Sequence, residues 1–209
     1  MNSGRTDLLE VERFVVGHIS TNCYVAYGSV TRDGLLIDPG GTDPAIKEFI
    51  SSRGINIRYT LNTHGHYDHI MADRDFGYPV LIHGLDRECL SDPRKSLSIL
   101  AGGRQGVVDD VITISGGQDI TVGSLVFRVI HTPGHTPGGV SVLCGNTLFS
   151  GDTLFFEGVG RTDLPGGDFQ ALTGSIKEKL FALPDATKVL PGHGPETTIG
   201  HERRFNPFV

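Results

Sequence analysis

Cysteine is scarce in this chain: Cys23, Cys89 and Cys144 are the only three in 209 residues, and they stand far apart. An odd number at wide spacing excludes a disulfide framework and a paired-thiolate metal site, leaving reduced thiols in or near the core. Basic clusters are missing too. The formal charge is −6 and no Lys/Arg run occurs, so nucleic acid is not expected as a partner. No stretch is apolar for the length a bilayer span needs, and the opening MNSGRTDLLE has no basic start leading into an apolar run. No membrane partner is therefore expected, and the expected location is cytoplasmic. Low-complexity linkers and fixed-period repeats are absent as well. The 29 Gly and 11 Pro are scattered between apolar segments, the pattern of a single domain over 1–209 with many short turns. Oligomeric state is left open.

What is present alternates between strands and helices. VERFVVGHI (11–19), CYVAYG (23–28) and GLLIDPG (34–40) carry the β-branched and aromatic enrichment of strands. A helix is predicted after Asp43 as N-cap and Pro44 as first helical residue, with Ile46, Phe49 and Ile50 on one face and Gly54 as its stop. Strands IRYTLNT (57–63) and YPVLIHG (78–84) follow, so the middle of the chain alternates as α/β proteins do. The region 85–106 reads as partly helical. Strand segments then return in VVDDVITI, DITVGSLVFRVIHT and GGVSVLCGNTLFSGD. A last helix is predicted from Asp168 through FQALTGSIKEKLFAL, with Leu172, Ile176 and Leu180 recurring every four residues and Pro184 ending it, before the strand KVLPG.

Residues 64–69 pack three histidines and an aspartate into six positions directly behind a predicted strand. In extended backbone, side chains at i and i+2 face the same way, so His64 and His66 can close on one metal ion. Asp68 and His69, past the turn, point elsewhere and can serve a second. A lone histidine is ordinarily solvated or hydrogen-bonded; four donors at this spacing read as a metal site. At three further places an apolar strand runs into a Gly-flanked donor: His135, Asp152 and His193. Small Gly and rigid Pro let the backbone turn sharply there while presenting a ligand. These seven nitrogen and oxygen donors are too many for one tetrahedral zinc, but suit two ions roughly 3.5–4 Å apart with a shared carboxylate and a bridging hydroxide. Two divalent ions against Asp68, Asp152 and a hydroxide leave net positive charge, attractive to a small anionic substrate. No cysteine stands at these positions, which argues against a closed structural zinc site.

The T-H-x-H-x-D-H run with His135, Gly-Asp152 and Gly-His193-Gly resembles the ligand set of the metallo-β-lactamase superfamily over nearly the whole chain. TPGHTPGG, FSGDTLFFEGVGRTD and LPGHGPETT resemble more closely its glyoxalase II branch. Members of that branch hydrolyse thioesters such as hydroxyacylglutathione with a binuclear zinc, iron or manganese centre. The resemblance implies an αββα sandwich, two mixed β-sheets flanked by helices. It implies that His64, His66 and His135 hold one divalent ion, that Asp68, His69 and His193 hold the other, and that Asp152 bridges them. Zinc is foremost, with iron or manganese as the other candidates, and Asp68 and Asp152 are the catalytic carboxylates beside the reacting water. The expected activity is thioester hydrolysis: water acidified to a pKa of about 7 attacks the carbonyl, and a thiolate leaves without a dedicated general acid.

The sequence ends sixteen residues after His193, so no C-terminal glutathione-binding helical domain is expected and recognition of glutathione is open. β-Lactamases of this fold commonly carry a cysteine ligand where Asp152 stands, which disfavours antibiotic hydrolysis. Diiron oxygen-reducing relatives usually carry Glu where His66 stands, and RNA-processing members need a large inserted domain. Persulfide dioxygenases resemble the chain through GRTD (160–163) and use a single iron; here its ligands would be His64, His135 and Asp152. A non-catalytic metal-binding module is the third alternative. Asp38, at the end of LLIDPG, either orients a metal-bound histidine or bonds its own turn. Arg161 either meets a substrate carboxylate or is a surface cation. Tyr67 either lines the cleft or packs as an aromatic. His18, His83, His131 and His201 read as ordinary histidines.

Overall fold

In the computed structural model, which describes residues 6–103 and 108–209, β1 (Leu9–Val16), β2 (Thr21–Gly28) and β3 (Asp33–Ile37) run antiparallel to one another. Parallel pairing adds β4 (Asn56–Leu61), β5 (Val80–His83) and β6 (Val111–Ile114), completing a mixed six-stranded sheet in sequence order. All eight residues of β2 are buried. Tyr24 and Ala26 join one apolar cluster and Cys23, Val25 and Tyr27 another, as a period of two demands of a strand covered on both faces.

The crossover that parallel pairing requires between β3 and β4 is helix α1 (Pro44–Ser52), whose Ile46 and Ile50 cover the outer face of this sheet. Its start is as predicted: the Asp43 carboxylate accepts the Ala45 N–H at 2.9 Å and Pro44 opens the first turn. Two single-turn helices, α2 (Tyr67–Ile70) and α3 (Asp73–Phe76), lie between β4 and β5.

The second sheet is an antiparallel meander of β7 (Asp119–Val122), β8 (Leu125–His131), β9 (Val140–Cys144) and β10 (Thr147–Gly151). A short ribbon of β11 (Leu154–Phe155) and β12 (Gly158–Val159) leaves it. Then β13 (Lys188–Pro191) pairs parallel to β10, and β14 (Thr197–Thr198) closes the edge. Helix α4 (Phe169–Ser175), capped by Asp168 and continued by a wider π turn over Ile176–Leu180, packs with α5 (Ile199–Phe205) on the outer face. Between the sheets, Leu35, Ile37 and Leu61 meet Phe127, Val142 and Phe149. The result is helix, sheet, sheet, helix, the sandwich the sequence implied.

Three details differ from the sequence reading. DITVGSLVFRVIHT is a hairpin, because Gly123 takes a left-handed φ of 60° and reverses the chain between β7 and β8. The region 85–106 holds 3₁₀ turns over Gly84–Leu90 and Ser98–Ala101, with 104–106 outside the described residues, as is Val107 at the head of VVDDVITI. The last helix ends at Leu180, short of Pro184. Among the described residues no helix is long and apolar enough to cross a membrane.

Strand direction positions the site. β8 and β10 both run antiparallel to β9, and β13 runs parallel to β10, so the C-terminal ends of all three lie at one edge. A bridge between Thr21 and His193 joins the two sheets at that edge.

Candidate metal centre

β4 delivers Thr63 and His64 at its end, and the chain then folds back through α2, with His66 as its N-cap. That single turn reverses the direction of Asp68 and His69, and Asn62 Nδ2 closes it by donating to the His69 carbonyl at 3.3 Å. His135, Asp152 and His193 follow β8, β10 and β13.

The seven donors fall into three overlapping groups: His64, His66 and His135; His64, His69 and Asp152; and Asp68, His69 and His193. His135 Nε2 lies 2.9 Å from His66 Nδ1 and 3.3 Å from His64 Nε2. His69 Nε2 lies 3.2 Å from Asp68 Oδ2 and 3.4 Å from His193 Nε2. Asp152 stands between, with Oδ1 3.4 Å from His69 Nε2 and Oδ2 3.6 Å from both His135 and His193 Nε2. Donors about 2.0–2.1 Å from a tetrahedral ion are themselves roughly 3.4 Å apart, the separation found here.

The far nitrogen of two rings fixes which atom faces inward. His135 Nδ1 lies 2.7 Å from the Arg161 carbonyl, which only accepts, so Nδ1 carries the hydrogen and Nε2 of the neutral ring presents a lone pair. The Thr63 hydroxyl donates to Asp38 Oδ2 at 2.6 Å, so His64 Nδ1, 3.3 Å from that hydroxyl, is the donor of the pair. His69 Nδ1 lies 2.9 Å from Asp38 Oδ2, although off the line of a good hydrogen bond. The Nε2 lone pairs of His64 and His135 thus converge with no hydrogen between them, and the buried Asp152 Oδ1 also lacks a hydrogen-bond partner. Such a donor set suits a cation.

Charge agrees. Burial, helped by neighbouring histidines, holds His64 well below its ordinary range and His66 down at about 3, so both rings are neutral at pH 7. Burial also opposes a charge on His69 and His193. At His69 it is outweighed by Asp68, Asp152 and Asp38, and at His193 by the Asp68 hydrogen bond and Asp152; both are raised. Burial likewise pushes Asp68 and Asp152 up, and the histidines around them hold both low instead. The space between these carboxylates favours positive charge.

Asp38 is placed beside His69, one of the candidate donors, and bonds beyond its own turn. It is 1% exposed, adopts a left-handed φ of 51°, and accepts the Thr63 N–H at 2.7 Å as well as the hydroxyl. The Arg161 side chain borders the cleft but is held by Asp163. Tyr67 also borders the cleft and stacks on His18, its hydroxyl 3.2 Å from His18 Nε2. His131 stacks on His83 with ring centroids 4.2 Å apart, outside the donor set.

Sequence reasoning missed the residues that hold the loops. Asp86, 1% exposed, accepts from Gly65 N, Thr136 Oγ1 and Gly138 N. Thr21 Oγ1 donates to Asp68 Oδ2, Asn22 Nδ2 to the carbonyls of Pro191 and Gly194, and the Tyr24 hydroxyl to Pro191 O. Only Asp86 carried a signal, as an acid beside the apolar VLIH, and its partners are too distant in sequence to be guessed. Gly192 and Gly160 permit close approach. A Cβ on Gly192 would collide with Asp152 Oδ1 and His69 Cε1, and one on Gly160 with the Asp152 carbonyl.

Two mixed sheets with a histidine and aspartate cage where strand ends meet define a metal-binding α/β sandwich. The chain belongs to the metallo-beta-lactamase superfamily, which residues 16–193 match. It is 31% identical to the hydroxyacylglutathione hydrolase GloC of Haemophilus influenzae, over 96% of this chain and 98% of that protein. It is similar to the BLEG-1 B3 metallo-beta-lactamase, with 39% identity, 95% and 99% of the chains covered and a TM-score of 0.86. It is also similar to the di-iron-bound form of TTHA1623, with 35% identity, 95% and 100% covered and a TM-score of 0.80. Family and cage together support a metal-dependent hydrolase.

Proposed function

We propose that this chain hydrolyses thioesters with two divalent metal ions, zinc foremost and iron or manganese next. The observation that carries the reading is Asp152 standing between two complete three-donor groups. His64, His66 and His135 would hold one ion and Asp68, His69 and His193 the other, with Asp152 facing both. When bound, such ions supply a Lewis acid for the carbonyl and a water acidic enough to ionise near neutral pH. The chain contributes the rest: Thr63 and the Arg161 carbonyl hold His64 and His135 in the tautomer that faces inward, and Asp38 stands beside His69. Asp86 holds two of the loops. In the overall step a C–O bond forms, the C–S bond breaks, and the proton lost by water ends on the thiolate, giving acid and thiol.

The test is turnover of lactoylglutathione and simpler thioesters by metal-loaded protein, with elemental analysis. About two ions per chain and loss of turnover together with one ion in His66→Ala are expected. Full loading without thioester cleavage would overturn the reading. β-Lactam opening is the second reading, favoured by the 39% identity to a B3 metallo-beta-lactamase although Asp152 replaces the common cysteine. A cephalosporin belongs in the same panel. A single-iron persulfide dioxygenase would leave Asp68, His69 and His193 without a ligand role.

A further inference from the structure

We infer that the cleft selects substrates whose acyl group is an apolar chain or ring, over a small hydroxylated acyl group. The inference rests on the hydrolase reading and names its substrate class. A cleft of about 490 Å³ has the donors as its floor, and Ile19, Leu97, Leu100, Phe155, Val159 and Leu164 on its walls. Volume and lining are those of a small-molecule site. The apolar residues come from separate segments: the β1–β2 turn, the 3₁₀ turn at 98–101, the β11–β12 ribbon and the loop beyond it. Four independent pieces of backbone thus turn apolar side chains toward one space.

Two of these side chains stand largely uncovered, Leu100 at 75% and Ile19 at 44% exposure. Together with the other apolar residues of the wall they form a contiguous apolar surface beside the donors, the kind of surface that marks a binding groove. Leu97 has a left-handed φ of 63°, a conformation rare for leucine, and leads into the turn that brings Leu100 to the cleft. Strain of this kind is held at sites that use it.

The polar side chains of the wall are already engaged. Arg161, the one Lys or Arg among the described lining residues, is gripped by Asp163 through Nε and Nη2 at 2.7 Å each. The Tyr67 hydroxyl is with His18. Meeting a hydroxyl or carboxylate on the acyl group would mean competing with these contacts, and a site that selects such groups must offer partners for them. Arg161 is therefore assigned to holding His135 through its carbonyl, with its guanidinium tied to Asp163. A neighbouring cavity of about 470 Å³ also touches His66; Leu85, Cys89, Pro137 and Pro165 line it together with Arg94 and Lys95, which are paired with Asp92 and Glu88. A thioester lying across His66 has room for its acyl arm in the first cleft and its thiol arm in the second.

The test uses N-acetylcysteamine thioesters of acetyl, butyryl, hexanoyl and lactoyl groups with the metal-loaded protein. Alongside them run the acetyl and hexanoyl ketone analogues, in which CH₂ replaces sulfur, titrated calorimetrically as non-hydrolysable probes. Expected are a rise in kcat/KM of roughly threefold or more per methylene, hexanoyl above lactoyl, and tighter binding of the hexanoyl ketone. Leu100→Ser, at an exposed position that does not threaten folding, should lower the hexanoyl-to-acetyl ratio at least threefold in both measurements, and Leu100→Met should restore it. A flat series or a preference for lactoyl overturns the inference while leaving the hydrolase standing. If no thioester turns over, the hydrolase reading falls, and equal affinity for the two ketones overturns the inference as well.

Discussion

Asp86 and Gly138 lie fifty-two positions apart, and Oδ1 of the first accepts the N–H of the second at 2.7 Å. Oδ2 of the same carboxylate takes the Thr136 hydroxyl at 2.6 Å and the Gly65 N–H at 3.0 Å. One buried side chain thereby locks the loop of His64 and His66 to the loop of His135. Asp86→Ala leaves three buried donors unpaired and is expected to cost about 2–4 kcal/mol. Metal affinity at those three histidines should fall roughly 10–100-fold. Urea unfolding and chelator competition measure the two effects; unchanged metal affinity would contradict the positioning role.

Asp38→Asn isolates charge from shape. Asparagine tolerates the left-handed backbone of this position as aspartate does, so the loop should survive. His69 then loses its carboxylate neighbour, and the Asp68, His69 and His193 group is expected to release its ion at about tenfold lower chelator concentration. Stepwise metal loss followed by elemental analysis reads this directly. Simultaneous loss of both ions at the wild-type concentration is the contrary result.

Gly192→Ala tests close packing. The added methyl must displace Asp152 or His69, and a displacement of about 1 Å at a reacting centre lowers turnover on the order of 100-fold. The far-UV circular dichroism should match wild type. Full activity would show that the loop yields without moving either donor.

Asp7 gives a pH dependence away from the metal. Slight burial pushes its carboxyl up, but hydrogen bonds from Ser124, Thr31 and the N–H of Val30 outweigh it and hold it at about 2. An unfolded aspartate titrates near 3.9, so the unfolded chain binds more protons between those values. The stabilisation is fully present above about pH 4 and is lost as pH falls toward 2. Discounted for solvent screening it amounts to about 1 kcal/mol. The gap in urea midpoint between wild type and Asp7→Asn should therefore narrow from pH 5 to pH 3; a constant gap would exclude this ionisation as its source.

Local signals carried much of this structure. Asp43-Pro44 and Asp168 announced their helices because a cap acts within its own turn. Central strands of the first sheet stood out because burial on two faces leaves continuous apolar runs such as 35–37 and 80–82, and β8 because one buried face leaves an alternation. Strand ends running into Gly-flanked donors signalled His64, His135, Asp152 and His193, and the parallel pairing of β10 with β13 explains why they share an edge. Clamps whose partners are remote stayed hidden: Tyr24 to Pro191 spans 167 positions and Asn22 to Pro191 spans 169. Two-residue strands such as β11 and β14 have too few residues to show a period. Gly123 looked like an interruption in one strand because its positive φ is a property of the backbone that composition does not display.

Each of the three donor groups draws two members from the connection behind β4 and a third from the far sheet, His135, Asp152 or His193. Neither half of the chain alone can assemble a complete cage. A metal ion held by such a group would therefore be captured only after the layers dock, and would act as a rivet across the seam.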